Sequence, residues 1–444
     1  MKFNNIDELM DYTKKIVGKK FSEFDNSDKL NNGLKDKGIL GKIIETGFYN
    51  YPNNNVAEAD FNNLGVELKV SGYIKNKNGT ISAKERLVLG KINYNEIIEE
   101  EFNYSKLLFK NKKILILWYE YEDDKPISEF EIKKYQLYDM SGDEIIIKND
   151  YEIIKEKVVK GLAHILSEGD TSYLGACTKG ATSKDRTSQP NSDIMAKPRA
   201  FSLKNGYMTG ILRSSILALN VDNIQYKTIE EYVFAQINKF IGMTQLDILY
   251  KLENKRYEKK IPKNLGKMIS DRVVGKDKEL AKKHDLFKKT TYIIKNLPVN
   301  KDYYPLERMS FRNLNLSDFK KNWEESSWKI FFEEVTLIVL CYEGNGKIKN
   351  GLRVLKDMKK VTFTADEIDL FGRTYTMMKK TIESKDIKNL PIPKSFDGQI
   401  IEVAPKNIKN ANAYNVDFNT DKTKLCFMVS KGFLFKKLTE MQDL

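Results

Sequence analysis

Histidine is nearly absent from this chain, with two residues in 444, His164 and His284. Imidazole is a common acid–base group and the commonest metal ligand, so its scarcity excludes His-based catalysis and multi-His metal sites. His164, beside Leu162 and Ile165, reads as a core or helix-surface residue. Cysteine is scarce too. Cys177, Cys341 and Cys426 lie far apart, which excludes a disulfide framework and a zinc site and leaves buried or semi-buried thiols. No run of about 18 apolar residues occurs, so no membrane-spanning helix is expected. The start, MKFNNIDELMDYTKK, has neither the apolar stretch nor the small-residue cleavage site of a secretory signal. The expectation is a soluble, cytoplasmic protein.

What the chain does have is length, apolar mass and positive charge. At 444 residues it predicts two or three domains. Hydrophobic residues at 41% and aromatics at 11% are enough for real cores despite 31% charged residues. Lys plus Arg number 75 against 62 Asp plus Glu, a net charge of +13, which favours an acidic partner such as nucleic acid or an anionic membrane.

The chain also repeats itself. GKIIE from Gly41 returns as GKMIS from Gly266, and KERLVLGKINYNEI from Lys84 as LERMSFRNLNLSDF from Leu306. The strand ending Leu117, Trp118, Tyr119, Glu120 returns as Leu340, Cys341, Tyr342, Glu343, and GACTKGA, with Lys179, as EVAPKNI, with Lys406. These four matches keep their order, with offsets between 222 and 227, which points to a duplicated fold. Each half begins with a helix: Ile6, Leu9, Met10, Ile16 and Val17 share one apolar face, as do Ile229, Tyr232, Val233, Ile237, Phe240 and Ile241, with Thr228 as a cap. A second helix carries GKIIE or GKMIS. Strands follow at Val66 to Val70, Leu87 to Ile92 and KKILILWYEY. The expected class is mixed α/β (α+β), each domain a central mixed sheet flanked by helices, divided at 1–215 and 216–444.

The richest segment is EADFNNLGVELKVSG. Asp60, Glu67 and Lys69 are spaced D-x6-E-x-K, and strand alternation through Val66, Leu68 and Val70 puts Glu67 and Lys69 on one face. Phosphodiester hydrolysis uses a hard divalent cation, and Mg²⁺ takes carboxylate oxygens together with water and substrate oxygens. Asp60 and Glu67 supply such oxygens. Lys69 is placed to orient the attacking water and to stabilise developing negative charge. Glu45, on the preceding amphipathic segment, offers a further ligand.

With these residues in place the chain resembles the MutH family, in particular its two-domain Sau-type restriction endonucleases that cut GATC. The resemblance rests on GILGKIIE, EADFNNLGVELKV, KERLVLGKINY, SEGDTSYLGACTKGA and KPRAFSLK, and it covers nearly all of the first half. It implies a restriction-endonuclease core whose two arms close around duplex DNA, with Glu45, Asp60, Glu67 and Lys69 as the catalytic set. It also places Lys179 at the family's recognition lysine, contacting a guanine edge in the major groove. Glu85, Arg86, Arg199 and Lys204 are further DNA-contact candidates. There are departures. Nicking relatives carry Arg-Pro-Lys where this chain has Cys177, Thr178 and Lys179, and the aromatic position linked to methylation sensing holds Ser202. The methyl-sensing mechanism therefore does not carry over.

In the second half the acids are gone. An offset of 226 takes Asp60 to Leu286, Glu67 to Ile293 and Lys69 to Lys295, while an offset of 225 takes Glu45 to Ser270. Basic residues remain, among them Lys406, Lys409, Lys431, Lys436 and Lys437. The expected function is a Mg²⁺-dependent type II endonuclease cutting both strands at GATC, 5′ of the G, through its first half. The second half would be an effector domain holding another GATC. A two-fold dimer suits the palindrome, and a cognate DNA methyltransferase is the implied functional companion. The alternatives are a mismatch-repair-like GATC nickase and a non-catalytic DNA-binding scaffold.

Overall fold

The computed structural model describes residues 2–26, 30, 38–51, 58–76, 79–180, 182, 184–214, 228–257, 261–262, 264–273, 291–345, 348, 351–384, 395–405 and 425–440. The chain forms two compact units: Met1–Leu166 with Thr171–Lys227 and Lys288–Thr290, and Ser167–Asp170 with Thr228–Phe287 and Thr291–Leu444. Lys406, Leu286 and the expected 215/216 division lie outside the described residues.

The first unit holds strands β1 (Val66–Lys75), β2 (Ile81–Ala83), β3 (Leu87–Lys91), β4 (Lys113–Glu120), β5 (Ile132–Asp139), β6 (Leu174–Thr178), β7 (Thr187–Gln189), β8 (Ser192–Ala196) and β9 (Arg199–Leu203). Its helices are α1 (Ile6–Thr13), α2 (Ile39–Ile43), α3 (Tyr94–Ile97), α4 (Lys106–Asn111), α5 (Glu144–Val159) and α6 (Asn205–Ser214). One sheet runs β2-β1-β4-β5 and a second β3-β9-β6, with β7 and β8 a separate ribbon. The β1–β4 pair is parallel and the rest antiparallel, so the first sheet is mixed, as expected, and the second wholly antiparallel. All six central residues of KILILWYE are buried, which requires covered faces on both sides of β4. Leu9, Ile16, Phe21, Ile44, Phe61, Leu68, Leu115 and Leu117 make one continuous core there.

The second unit has helices α7 (Ile229–Ile237), α8 (Gln245–Glu253), α9 (Leu265–Val273), α10 (Ser327–Glu334), α11 (Ala365–Glu383) and α12 (Lys431–Thr439). Its strands are β10 (Tyr292–Val299), β11 (Met309–Asn313), β12 (Thr336–Glu343), β13 (Val354–Val361), β14 (Ile401–Pro405) and β15 (Leu425–Val429). They form sheets β10-β12-β13 and β11-β15-β14, the order of the first unit without its short edge strand β2. Register repeats as well as order. Val66 faces Lys113 in the parallel β1–β4 ladder, and Tyr292 faces Thr336 in the parallel β10–β12 ladder. Leu87 faces Leu203, and Met309 faces Val429. Its core is aromatic, built on Trp328, Phe332, Phe371, Tyr375 and Phe427.

The two opening helices stop short of the faces drawn from sequence. Each gives way to a 3-10 turn, at Lys14–Ile16 and Asn238–Phe240, so Val17 and Ile241 turn outward to 41% and 38% exposure. The cause is Gly18 and Gly242, whose φ of +87° and +85° ends both helices in a left-handed residue. Each of these glycines then donates its N–H at 2.8 Å to the next sheet, to Ile132 and Leu355 respectively. Thr228 caps α7 as expected, accepting from Glu231 N at 3.0 Å. The three cysteines are free and buried. Among the described residues no helix is long and apolar enough to cross a membrane.

Candidate active site

The D-x6-E spacing has a local explanation. Phe61 and Val66 form an isolated antiparallel bridge, closed by a 3-10 turn at Asn62–Leu64 and by Gly65 at φ +62°. The residues flanking that bridge, Asp60 and Glu67, are thereby neighbours. Asp60 N donates to Glu67 Oε2 at 3.2 Å, and Leu68 N donates to Asp60 Oδ2 at 2.9 Å. Backbone hydrogen bonds thus hold both carboxylates.

Glu67 is the buried centre of the group, its side chain 3% exposed. Its Oε1 accepts from Lys69 Nζ at 2.7 Å, as two residues on one strand face should allow. Lys110 Nζ lies 3.5 Å from the same oxygen. Lys110 lies outside the D-x6-E-x-K motif, and no spacing in the sequence links it to that motif. It sits on α4, whose cap is Ser105 Oγ accepting from Leu108 N at 3.2 Å. Four residues on, past the end of α4, comes Ile114 on β4, which stands opposite Glu67 in the parallel ladder. Only that pairing, distant in sequence, brings Lys110 to the site.

Glu45 lies on a π-helical turn, Ile44–Phe48, that continues α2. Such turns are rare and frequent at functional sites. Burial raises the pKa of Glu45, and the neighbouring Glu67 charge raises it further. Burial also pushes Asp60 up to about 7, with Glu67 the next cause. The three carboxylates therefore feel one another, in a place where desolvation already penalises their charge.

This is an environment that a cation relieves. Among the described residues no three His, Cys, Asp or Glu side chains converge tightly enough to hold a metal ion by themselves. Mg²⁺ asks for less: it is commonly held by one or two carboxylates, with waters and substrate phosphate filling the shell. Asp60 and Glu67 fit that donor set, with Glu45 flanking it.

The remaining candidates separate by burial. Lys179 follows β6 directly, exposed, its N–H bonded to Pro198 O at 2.8 Å. Glu85 is exposed and Arg86 half-buried in the turn before β3. Arg199 and Lys204, expected as DNA contacts, are instead 4% and 1% exposed. Arg199 donates to Ala176 O at 2.6 Å and to Leu166 O, and Lys204 donates to Thr171 O. Their cations satisfy carbonyls at the two ends of the segment leading into β6, which is a structural use of charge. His164 is likewise structural, its Nδ1 3.1 Å from Gln189 Nε2 on β7.

If this group hydrolyses phosphodiesters, Lys110→Met should lower single-turnover cutting roughly 10- to 100-fold, because a cation 3.5 Å from Glu67 is lost while packing is kept. Affinity for uncut DNA should change little. An unchanged cutting rate would make Lys110 a bystander.

Comparison with known proteins adds relatives to this geometry. The MutH family model, described as DNA mismatch repair enzyme MutH, matches residues 49–150. The chain is 32% identical over 412 residues to the type II restriction enzyme Sau3AI of Staphylococcus aureus, covering 87% of this chain and 82% of that one. It is 25% identical over 221 residues to the DNA mismatch repair protein MutH of Vibrio vulnificus, covering 48% of this chain and 94% of that protein. The MutH protein of Vibrio campbellii is 26% identical over 216 residues, covering 46% of this chain and 92% of its own length.

Proposed function

Because the chain belongs to the MutH-like family of type II restriction endonucleases, and so is a site-specific DNA endonuclease, we propose that it cuts both strands at GATC, 5′ of the G, with Mg²⁺. The observation that carries the reading is the buried Glu67 carboxylate, which accepts from the Asp60 backbone N–H and has the Lys69 and Lys110 ammonium groups at 2.7 and 3.5 Å.

Asp60 and Glu67 would hold the ion, and Glu45 stands ready as a further oxygen donor. The ion, when bound, polarises the scissile phosphate and lowers the pKa of a bound water. The chain's own groups do the rest. The N–H groups of Leu68 and Asp60 fix the two carboxylates, so little reorganisation is needed as charge builds. Lys69 Nζ, kept beside Glu67 Oε1, orients the attacking water and offsets charge on the phosphate oxygens. Lys110 adds a second positive group near the same Glu67 oxygen. Lys179 reads a guanine edge from the exposed end of β6, with Glu85 and Arg86 as lesser contacts.

One such site cuts one strand. Two chains related by a two-fold axis on the palindrome would cut both. The second unit has Ile293 and Lys295 at the register positions of Glu67 and Lys69, which supports a DNA-binding role without cutting. In this reading it holds another GATC and stimulates the first unit, while a companion methyltransferase protects the host's own sites. MutH relatives matching about half of the chain support a function beyond nicking for the whole protein.

The test is to incubate the intact protein with Mg²⁺ and plasmids carrying one or two GATC sites, then map the ends. Four-base 5′ GATC overhangs and faster cutting of the two-site plasmid are expected. Nicked circles only, or ends elsewhere, would overturn the cleavage reading. Equal rates on both plasmids would remove the effector role.

A further inference from the structure

The two units also differ in the packing beside the second unit's counterpart of the candidate active site, where Ser270 and Lys295 stand at the positions of Glu45 and Lys69. In the first, Tyr119 on β4 stacks on Phe130 at 5.2 Å between centroids and meets Phe21 edge-on at 5.5 Å. All three are buried. Backbone bonds identify the same positions in the second unit. Phe21 N donates to Phe130 O at 3.2 Å, and Gln245 N donates to Arg353 O at 3.0 Å. Tyr119 stands opposite Ile132, and Tyr342 opposite Leu355. The aromatic set Phe21, Tyr119, Phe130 has thus become Gln245, Tyr342, Arg353. The same ladders put Asn296 where the first unit has Val70.

Two phenylalanines and a valine have been exchanged for an amide, a guanidinium and a second amide, and space has opened. These four side chains line a cavity of ≈ 400 Å³ in the second unit, between β10, β12 and α9. Among the described residues the Tyr342 hydroxyl, Arg353 Nε and Asn296 Oδ1 find no hydrogen-bond partner. Tyr342 is only 1% exposed. Buried polar atoms are costly to leave unsatisfied, so three around one cavity mark a place for a polar occupant. The volume is in the range of small-molecule sites.

The charge says which occupant. Lys267, Lys295 and Arg353 line the cavity against Asp271 and Glu307. Asp271 is ion-paired with Lys267, and Glu307 is exposed. Lys295 Nζ also donates to Ser310 O at 2.6 Å. Arg353, with its flat fork of donors, remains the principal cation, and a guanidinium matches the paired oxygens of a phosphate.

We propose that this cavity is a metal-independent phosphate-binding pocket, with Arg353 and the Tyr342 hydroxyl as donors to the phosphate oxygens. The phosphate could belong to a free nucleotide or to a DNA backbone. Only the second source rests on reading this unit as a DNA-binding domain.

The test uses the intact chain in EDTA, so that no cutting occurs. Inorganic phosphate and dAMP are titrated calorimetrically into the natural protein, Tyr342→Phe, and the double variant Gln245→Phe, Arg353→Phe, which restores the apolar filling of the first unit. Phosphate binding to the natural protein, at least tenfold weaker in both variants, is the expected result. Salt dependence of duplex affinity then separates the sources. A log–log slope shallower by about 1 in the double variant indicates a backbone phosphate. An unchanged slope with dAMP bound more tightly than phosphate indicates a free nucleotide. No phosphate binding, or binding that the double variant and Tyr342→Phe leave unchanged, overturns the proposal. The one-site and two-site plasmid rates read the effector role separately. Stimulation with no phosphate binding would defeat the pocket alone, and phosphate binding with no stimulation would defeat the effector role alone.

Discussion

Glu67→Gln is expected to abolish cleavage, by roughly 10³-fold or more, while leaving binding to uncut DNA nearly intact. The change keeps the size of a side chain that is 3% exposed, so the fold has little reason to respond. It removes the charge around which the site is organised. Glu67 is the acceptor for Lys69 at 2.7 Å and lies 3.5 Å from Lys110, and its charge contributes to raising the pKa of Glu45 and Asp60. With a neutral amide there, Lys69 and Lys110 lose the buried carboxylate they share, and the proposed mechanism loses one of its two carboxylate ligands. Asp60→Asn should act in the same direction. The measurement is single-turnover cutting of a labelled duplex, with affinity measured on the same duplex in EDTA. Cutting within tenfold of the natural rate in both variants would remove these residues from the chemistry.

Asp150→Ala should destabilise the first unit by roughly 3–5 kcal/mol, a large share of the stability of an ordinary domain. Asp150 sits on α5, fully buried. Its Oδ1 accepts from Ser172 N at 2.7 Å, and its Oδ2 from Tyr173 N at 2.6 Å and Leu174 N at 2.9 Å. Burial pushes its pKa up to about 6, the desolvation cost outweighing the nearby Lys204 and the three N–H groups. Truncation leaves those N–H groups without their acceptor at the start of β6, the strand that leads to Lys179. Denaturant midpoints of the intact chain, followed by near-ultraviolet circular dichroism, would register the loss. A midpoint matching the natural protein would mean that the N–H groups find other acceptors.

Much of this was legible in the sequence. The repeat could be found because duplicated segments keep their order, and the ladders Val66–Lys113 and Tyr292–Thr336 show that register was kept with it. Asp60, Glu67 and Lys69 could be grouped because a tight turn and a strand are local, and local geometry follows spacing. For Arg199 and Lys204 the sequence left a DNA contact and a structural salt bridge equally open, for a corresponding reason. A cation in a polar segment looks like a surface group until the carbonyls that bury it are known. Lys110 was missed because nothing in KLLFKNKKILILWYE tells which strand will lie beside β4.

The sequence by itself pointed to a duplicated plan, because repeated segments keep their order and spacing, and to the Asp60, Glu67 and Lys69 motif in one half and its loss in the other, because that motif lies close together in the chain. Tertiary structure alone decided that Lys110 joins Glu67, that Arg199 and Lys204 serve the interior, and that Gln245, Asn296, Tyr342 and Arg353 line one cavity. Those outcomes depend on which strands pair and which charges lose their water. Both are settled by contacts between residues far apart in sequence, where spacing carries no information.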